Sequence, residues 1–308
     1  MIRSGRRGAS LLILLLVLAA GCAPAASAPG GLPTLGRTSA GVIGSYVPAT
    51  LAQLADGDDF QQNLGTLEKE AFENCIRGFG FGPAAQAFAF QSINYLPFQA
   101  MTGYTSYQNA AVGLVDVHSV TKTGMLAPIY IAGQRPDSSG ISPAEQRAIR
   151  ADQWHCWSAS QQPVRKLNQQ GYAIHRQWYA QEVRLLNSKQ VRAATKVFGS
   201  CVSHEGAPKT AAQSLGQFLN WLQRTINRGA FVSGVGSAGA SVQPRQRVDA
   251  HWSAVFVRCG GPLVSLLQRL LPGAQQAFVQ EHFGQITALN KIAAQTMTEL
   301  ERKTGSQL

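Results

Sequence analysis

Five cysteines carry most of the chemistry that this 308-residue chain can offer. A thiol can pair as a disulfide, hold a metal as its thiolate or attack as a nucleophile. Cys75, Cys156, Cys201 and Cys259 are spread along the chain, and Cys22 stands apart near its start. Zinc needs about four ligands at close, defined spacing. The nearest approaches are Cys201 with His204 on one helical turn and His155 beside Cys156, and no CxxC, HExxH or CxxCH occurs. His118, His155, His175, His204, His251 and His282 are scattered and read as structural or exposed residues. Gly234-Val235-Gly236-Ser237-Ala238-Gly239 spells GxGxxG, but no strand precedes it and Pro244 follows closely. No acidic residue lies about twenty positions on, so the dinucleotide context is missing. There is no GxSxG and no Walker A, and Asp56-Gly57-Asp58-Asp59 lacks the remaining ligands of a calcium loop. The pattern calls for neither a metal nor a cofactor.

The N-terminus places the cysteines in a compartment. Arg3, Arg6 and Arg7 precede an unbroken apolar run from Leu11 to Leu18, and small residues follow it. That is the layout of a secretory signal. The run is well short of the ~20 residues that a spanning helix needs, so removal is the expectation. Leu18-Ala19-Ala20-Gly21-Cys22 resembles the lipobox of bacterial lipoproteins, with Ala19 where that family prefers leucine. The resemblance implies cleavage after residue 21, lipid on the Cys22 thiol, and attachment to the outer face of the cell membrane or the periplasmic side of a membrane. The alternative is an ordinary secreted protein cut near Ala23 or Ala26. Residues 22–41 are rich in Ala, Pro, Gly and Ser, the composition of a semi-flexible tether. Two acyl chains anchor stably where one does not.

With Cys22 taken for lipid, an even four cysteines remain, and in an oxidising compartment these read as two disulfides. Four cysteines allow three pairings, and sequence alone does not select one. The tendency of consecutive helices to pack together favours Cys75–Cys156 and Cys201–Cys259. Each bridge would close a loop of more than fifty residues, worth about 4 kcal/mol on the chain-entropy model.

The formal net charge is +11, and it is unevenly placed. From Pro163 to Lys209 stand Arg165, Lys166, Arg176, Arg184, Lys189, Arg192, Lys196 and Lys209, against only Glu182 and Glu205. Outside the membrane the available polyanions are lipid headgroups and acidic wall polymers, and nucleic acid is not expected. Lys189, Arg192 and Lys196 recur at helical spacing as one basic face, read either as a binding surface or as a solvated side.

Hydrophobic periodicity predicts a mainly α fold, a disulfide-linked helical bundle with an irregular or short-stranded aromatic-rich insertion. A helix is predicted over 59–77, with Leu64, Leu67, Ala71, Cys75 and Gly78 on one face, ended by the glycines before Pro83. Residues 84–133 mix aromatics with Gly and Pro, and Val115, Val117 and Val120, then Ile129 and Ile131, are candidate short strands. Ser142-Pro143-Ala144-Glu145 is a strong helix start. That helix is expected to reach Gln162, with Pro163 opening another to Asn187. Ser188 is the expected cap of a helix carrying Val191, Ala194, Phe198 and Cys201, and a further helix is predicted over 209–227. After a Gly/Ser loop at 229–243, a helix from Pro244 is expected to break at Gly260-Gly261-Pro262. An amphipathic helix bearing Phe278, His282, Ile286, Leu289, Ala293, Met297 and Leu300 follows Pro272-Gly273. No run reads as a transmembrane helix. The Cys75-Ile76-Arg77-Gly78-Phe79 and Val197-to-Val202 stretches and the closing helices resemble uncharacterised four-cysteine lipoproteins of GC-rich bacteria, a family that brings no activity with it.

The domain reading is a signal peptide over 1–21, a tether over 22–41 and one helical extracytoplasmic domain over 42–308, with a subdivision considered at 229–243. Two function classes follow. One is a non-enzymatic envelope lipoprotein that binds or scaffolds an acidic polymer, the membrane surface or a partner protein. The other is an exported enzyme whose catalytic groups come from distant positions. The few carboxylates and the missing motifs favour the first.

Overall fold

Ser142 opens the longest element as its sequence requires. Its Oγ accepts the Glu145 backbone N–H at 3.2 Å, and Pro143 occupies the first turn, where its missing N–H costs nothing. The computed structural model describes residues 37–93, 107–125, 137–231 and 242–306. The described residues form ten α-helices: α1 (Arg37–Tyr46), α2 (Leu51–Gly78), α3 (Pro83–Ile93), α4 (Tyr107–Ala111), α5 (Val117–Thr123), α6 (Pro143–Leu186), α7 (Lys189–His204), α8 (Leu215–Phe231), α9 (Val242–Glu281) and α10 (Phe283–Thr304). No strand occurs among them, so the chain is mainly α. Residues from Gly36 onward form one compact unit. Residues 37–41, expected to end the tether, form the start of α1, while Cys22, the rest of the tether, Ile129, Ile131 and the 234–239 glycine motif lie outside the described residues.

Several elements differ from the sequence expectation, beginning with residues 84–93, expected to be irregular or short-stranded, which fall in α3 with Phe88 and Ala89 buried. Pro163 opens no new helix, because α6 runs unbroken through it for 44 residues. An internal proline removes a backbone hydrogen bond and costs about 3 kcal/mol. That cost is offset by burial on both sides of it: Ile149, Gln153, Cys156, Ser160, Val164, Leu167, Gly171, Ile174, Trp178 and Glu182 form one continuous buried stripe. Likewise Gly260-Gly261-Pro262 and Pro272 do not break α9, whose buried Cys259, Leu263, Val264, Leu267, Leu271 and Phe278 bracket them. The final helix therefore starts only at Phe283. Arg247–Glu281 of α9 is long and apolar enough to cross a membrane, a length hidden by the expected breaks. In this fold much of its apolar surface, including Val255, Phe256, Leu267 and Phe278, is core. Val117 and Val120 belong to α5 and form no strand. Smaller shifts occur in α2, which starts at Leu51 and buries Phe72 and Ile76, and at Ser188, whose hydroxyl makes no cap hydrogen bond.

The core has three regions. Near the start of α6, Phe72 and Ile76 of α2 and Phe88 of α3 pack on Ile149 and Cys156. The second joins α7, α8 and α9 through Phe198, Phe218, Leu222, Val255 and Phe256. The segment carrying α4 and α5 is pinned to α9 beside it: Gln268 Nε2 donates to the Gly113 and Val115 carbonyls, and Asp249 Oδ1 accepts the Met125 N–H at 3.0 Å. The third region is α1, α2 and α10 against α6, with Trp178 set edge-on to Phe278 at 5.4 Å. The expected loop is shorter than 229–243, because α8 runs to Phe231 and α9 starts at Val242, and these two helices share the second cluster.

Each of the first two regions holds one disulfide. Cys75–Cys156 joins α2 to α6, and Cys201–Cys259 joins α7 to α9. This is the pairing favoured by helix adjacency.

The hairpin of α1 and α2 closes at Gly44 and Gly57. A Cβ on Gly44 would lie 1.8 Å from the Gln53 carbonyl oxygen, so the two backbones touch. Ser45 Oγ donates across this crossing to the Gly57 carbonyl at 3.1 Å. The link that follows is held by two glutamines. Gln53 Oε1 accepts the Ala49 N–H, and buried Gln275 of α9 donates to the Val47 carbonyl. Gly44→Ala should therefore cost at least about 3 kcal/mol by overpacking, lowering the thermal midpoint by several degrees. Gly65→Ala, with nothing within 4 Å of its added methyl, should raise stability by about 0.5–1 kcal/mol. Parallel thermal melts followed by circular dichroism check both. Non-reducing peptide mapping should recover the two disulfide-linked peptide pairs, and reduction should destabilise by roughly 4 kcal/mol for each loop opened.

Candidate functional site

The side of α6 opposite its buried stripe combines cations and large aromatics. Its exposed positions include six cations, Arg147, Arg150, Arg165, Lys166, Arg176 and Arg184, and none is acidic. The three acids of the helix are placed elsewhere: Glu145 and Asp152 are half-buried, and Glu182 is buried. No carboxylate among the described residues forms an ion pair with any of the six cations. Large aromatics stand on the same side, with Trp154 62% exposed, Tyr172 61% and Tyr179 48%. Each has an arginine within about one turn, Arg150 before Trp154 and Arg176 between Tyr172 and Tyr179.

The helix keeps this side turned outward because its other side is fixed in three places. The Cys156 disulfide and Ile149 hold the first third. Beyond Pro163, whose carbonyl accepts the Thr296 hydroxyl of α10 at 3.4 Å, the Tyr46 ring lies directly over Gly171. A methyl there would meet the ring at 2.2 Å, so only glycine admits Tyr46. Trp178 anchors the last third.

On α7, Lys189, Arg192 and Lys196 are exposed, and Val191, Phe198 and Val202 are buried on the opposite side. The basic face expected from spacing is therefore a solvent face, free of acidic partners among the described residues. Of the two acids within the cationic segment, Glu205 pairs with Arg258. Glu182 is only 5% exposed, and burial pushes its carboxyl up to about 8. The Trp178 indole one turn back opposes this rise, yet its N–H makes no hydrogen bond of good geometry. At neutral pH Glu182 is therefore mostly uncharged, and the segment is more cationic than its formal count.

The other sequence candidates do not converge. Cys201 is spent in a disulfide, so Cys201 with His204 offers no thiolate. His155 lies edge-on to Phe79, His251 to Trp252, and His282 is tilted against Phe278. His175 Nδ1 lies 3.2 Å from the Tyr46 carbonyl oxygen. Among the described residues no three His, Cys, Asp or Glu side chains gather as a metal site. Burial raises Glu68, with Gln161 partly offsetting it, and raises Asp58, but neither faces a nucleophile in a cleft. A shallow depression beside Ala294, Gln295, Thr298, Glu299 and Arg302 lies on the outer face of α10, where Glu299 pairs with Lys303. Comparison with protein-family models, curated proteins and solved structures finds no match.

Charge spacing pointed to α7 and to part of α6. It missed Arg147, Arg150 and the aromatic members, because the expected break at Pro163 cut their helix in two. The signal that could have joined the halves is the recurrence of arginine 18 residues apart, at Arg147 and Arg165, five turns of one helix.

The raised carboxyl has a measurable consequence. Glu182 ionises near 4.5 when unfolded and near 8 when folded. Between those values the folded state retains a proton that the unfolded state releases, so stability falls as pH rises through the window and stays lowered above it. At about 1.4 kcal/mol per unit, the loss reaches several kcal/mol by pH 8.5. Glu182→Gln should match the parent near pH 4.5 and be clearly more stable at pH 8.5, as read by urea titration at both pH values.

Proposed function

We propose that this protein is an envelope lipoprotein, anchored through lipid on Cys22, that acts as a non-enzymatic docking module for an anionic envelope surface. The compartment is supported by the two disulfides, which belong to an oxidising, extracytoplasmic setting. The anchor is supported by the Leu18-to-Cys22 motif and by the even cysteine count left once Cys22 is set aside. The single observation that carries the binding role is the cationic side of α6 and α7, nine exposed lysines and arginines with no acidic partner among the described residues. Surface charges are normally mixed in sign, and a large field of one sign serves attraction to the opposite sign. Such attraction weakens with salt, because the screening length falls from ~10 Å at 0.1 M to ~3 Å at 1 M.

Two measurements test this. Intact-mass analysis of the mature protein should give a chain starting at Cys22 with a diacylglyceryl group, and reduction should add four hydrogens for two disulfides. An unmodified start at Ala23 or later overturns the anchor. Retention on washed, delipidated envelope or anionic vesicles should fall steeply between 0.05 and 0.5 M salt, on the order of the screening change. Lys189→Glu, Arg192→Glu and Lys196→Glu together should weaken it at least about a hundredfold, at ~1 kcal/mol per charge near an anionic surface. Retention that ignores both salt and charge reversal removes the docking role.

A further inference from the structure

Resting on the docking role just proposed, we infer that the anionic surface is a phospholipid bilayer, and that α6 lies along it with Trp154, Tyr172 and Tyr179 at headgroup depth and its arginines on lipid phosphates. Composition is the first argument. Trp and Tyr are amphipathic rings that collect at membrane–water interfaces, and arginine binds phosphate with a planar fork of donors. Alternating these two residue types along one exposed helix side gives each aromatic a phosphate-binding neighbour. The remaining exposed positions between Ala144 and Arg184 carry no carboxylate, and many are small: Ala144, Ala148, Ala151, Ser158, Ala159 and Ala180. A carboxylate there would be repelled by anionic lipid.

Shape is the second argument. The cations and aromatics stand on the outward ridge of one helix about 66 Å long. A ridge meets a plane along its whole length. A polymer chain is gripped by a groove, and the depression on α10 does not adjoin these residues.

Connection is the third. Tyr46, at the end of α1, sets its ring edge-on to Tyr172 at 6.4 Å. The start of α1 is nine residues back, so about 14 Å along that helix. Fifteen residues separate Cys22 from Arg37, a covalent reach of at most about 50 Å. Lipid on Cys22 would thus hold the membrane surface within range of the middle of the α6 ridge. An anchored chain meets that surface at high effective concentration, so even weak lateral contacts are made.

The test uses the chain from residue 22 onward with Cys22→Ser, so that no acyl group contributes and the outcome is independent of the lipoprotein reading. Co-sedimentation is measured with vesicles of phosphatidylglycerol and phosphatidylcholine mixed, and of phosphatidylcholine alone. A soluble polyglycerol phosphate and a soluble acidic polysaccharide serve as competitors. Binding to the anionic vesicles alone is expected, with a blue shift of tryptophan emission that Trp154→Phe abolishes. Arg165→Gln, Arg176→Gln and Arg184→Gln together should reduce partitioning about a hundredfold, at roughly fivefold per cation near the surface. Trp154→Ala, Tyr172→Ala and Tyr179→Ala together should reduce it at least tenfold with the charge unchanged. These side chains are exposed, and an unaltered thermal midpoint confirms the fold. The proposal is overturned by absence of vesicle binding, by vesicle binding that ignores the aromatic variant, or by tighter binding to either soluble polymer than to vesicles. The last two outcomes leave an anionic docking role standing; failure on every anionic surface removes that role as well.

Discussion

Burial of one unbroken stripe along α6 is the constraint on which the remaining structure rests. Helices α1, α2, α3, α7, α9 and α10 all contact α6. A single proline could have divided it, and the packing on both sides of Pro163 prevents that. Because the stripe keeps its phase from Ile149 to Glu182, the opposite side keeps its phase too. Six cations and three aromatics thereby become one surface. The core thus determines the candidate site without containing any of it.

The same economy governs the acids. The carboxylates that could neutralise the cationic segment are removed in different ways. Glu182 is buried and held protonated, Glu205 is paired with Arg258, and Glu145 and Asp152 turn partly inward. A cationic surface therefore arises from placement of few acids as much as from many bases. The buried carboxyl is costly to ionise, so the segment keeps its positive balance most fully at neutral and acidic pH.

Helix content, the Ser142 start and the disulfide pairing were legible in the sequence, because periodicity and cap chemistry are local signals. Adjacency favoured the Cys75–Cys156 and Cys201–Cys259 pairs among the three possible, and the structure holds that set. Helix continuity was not legible. Gly260-Gly261-Pro262 and Pro163 carry strong local break signals, and only tertiary burial overrides them. The strand reading of Val117 and Val120 failed for a local reason instead: Asp116 caps a short helix there through the His118 N–H. The basic face of α7 was visible as spacing, and its exposed placement agrees. The aromatic half of the α6 surface was invisible, since an exposed and a buried tyrosine look alike in sequence until the helix phase is known.

The two bridges join cysteines that are consecutive in the chain, first Cys75 with Cys156, then Cys201 with Cys259. A polypeptide threaded through a membrane from its N-terminus presents these thiols in that order. Once Cys22 is out of play, as the proposed lipid would make it, an oxidant that links each new cysteine to the one already waiting makes the native set directly. Such a topology needs no shuffling of wrong pairs, and it lets the α2–α6 half be sealed before the α7–α9 half has emerged.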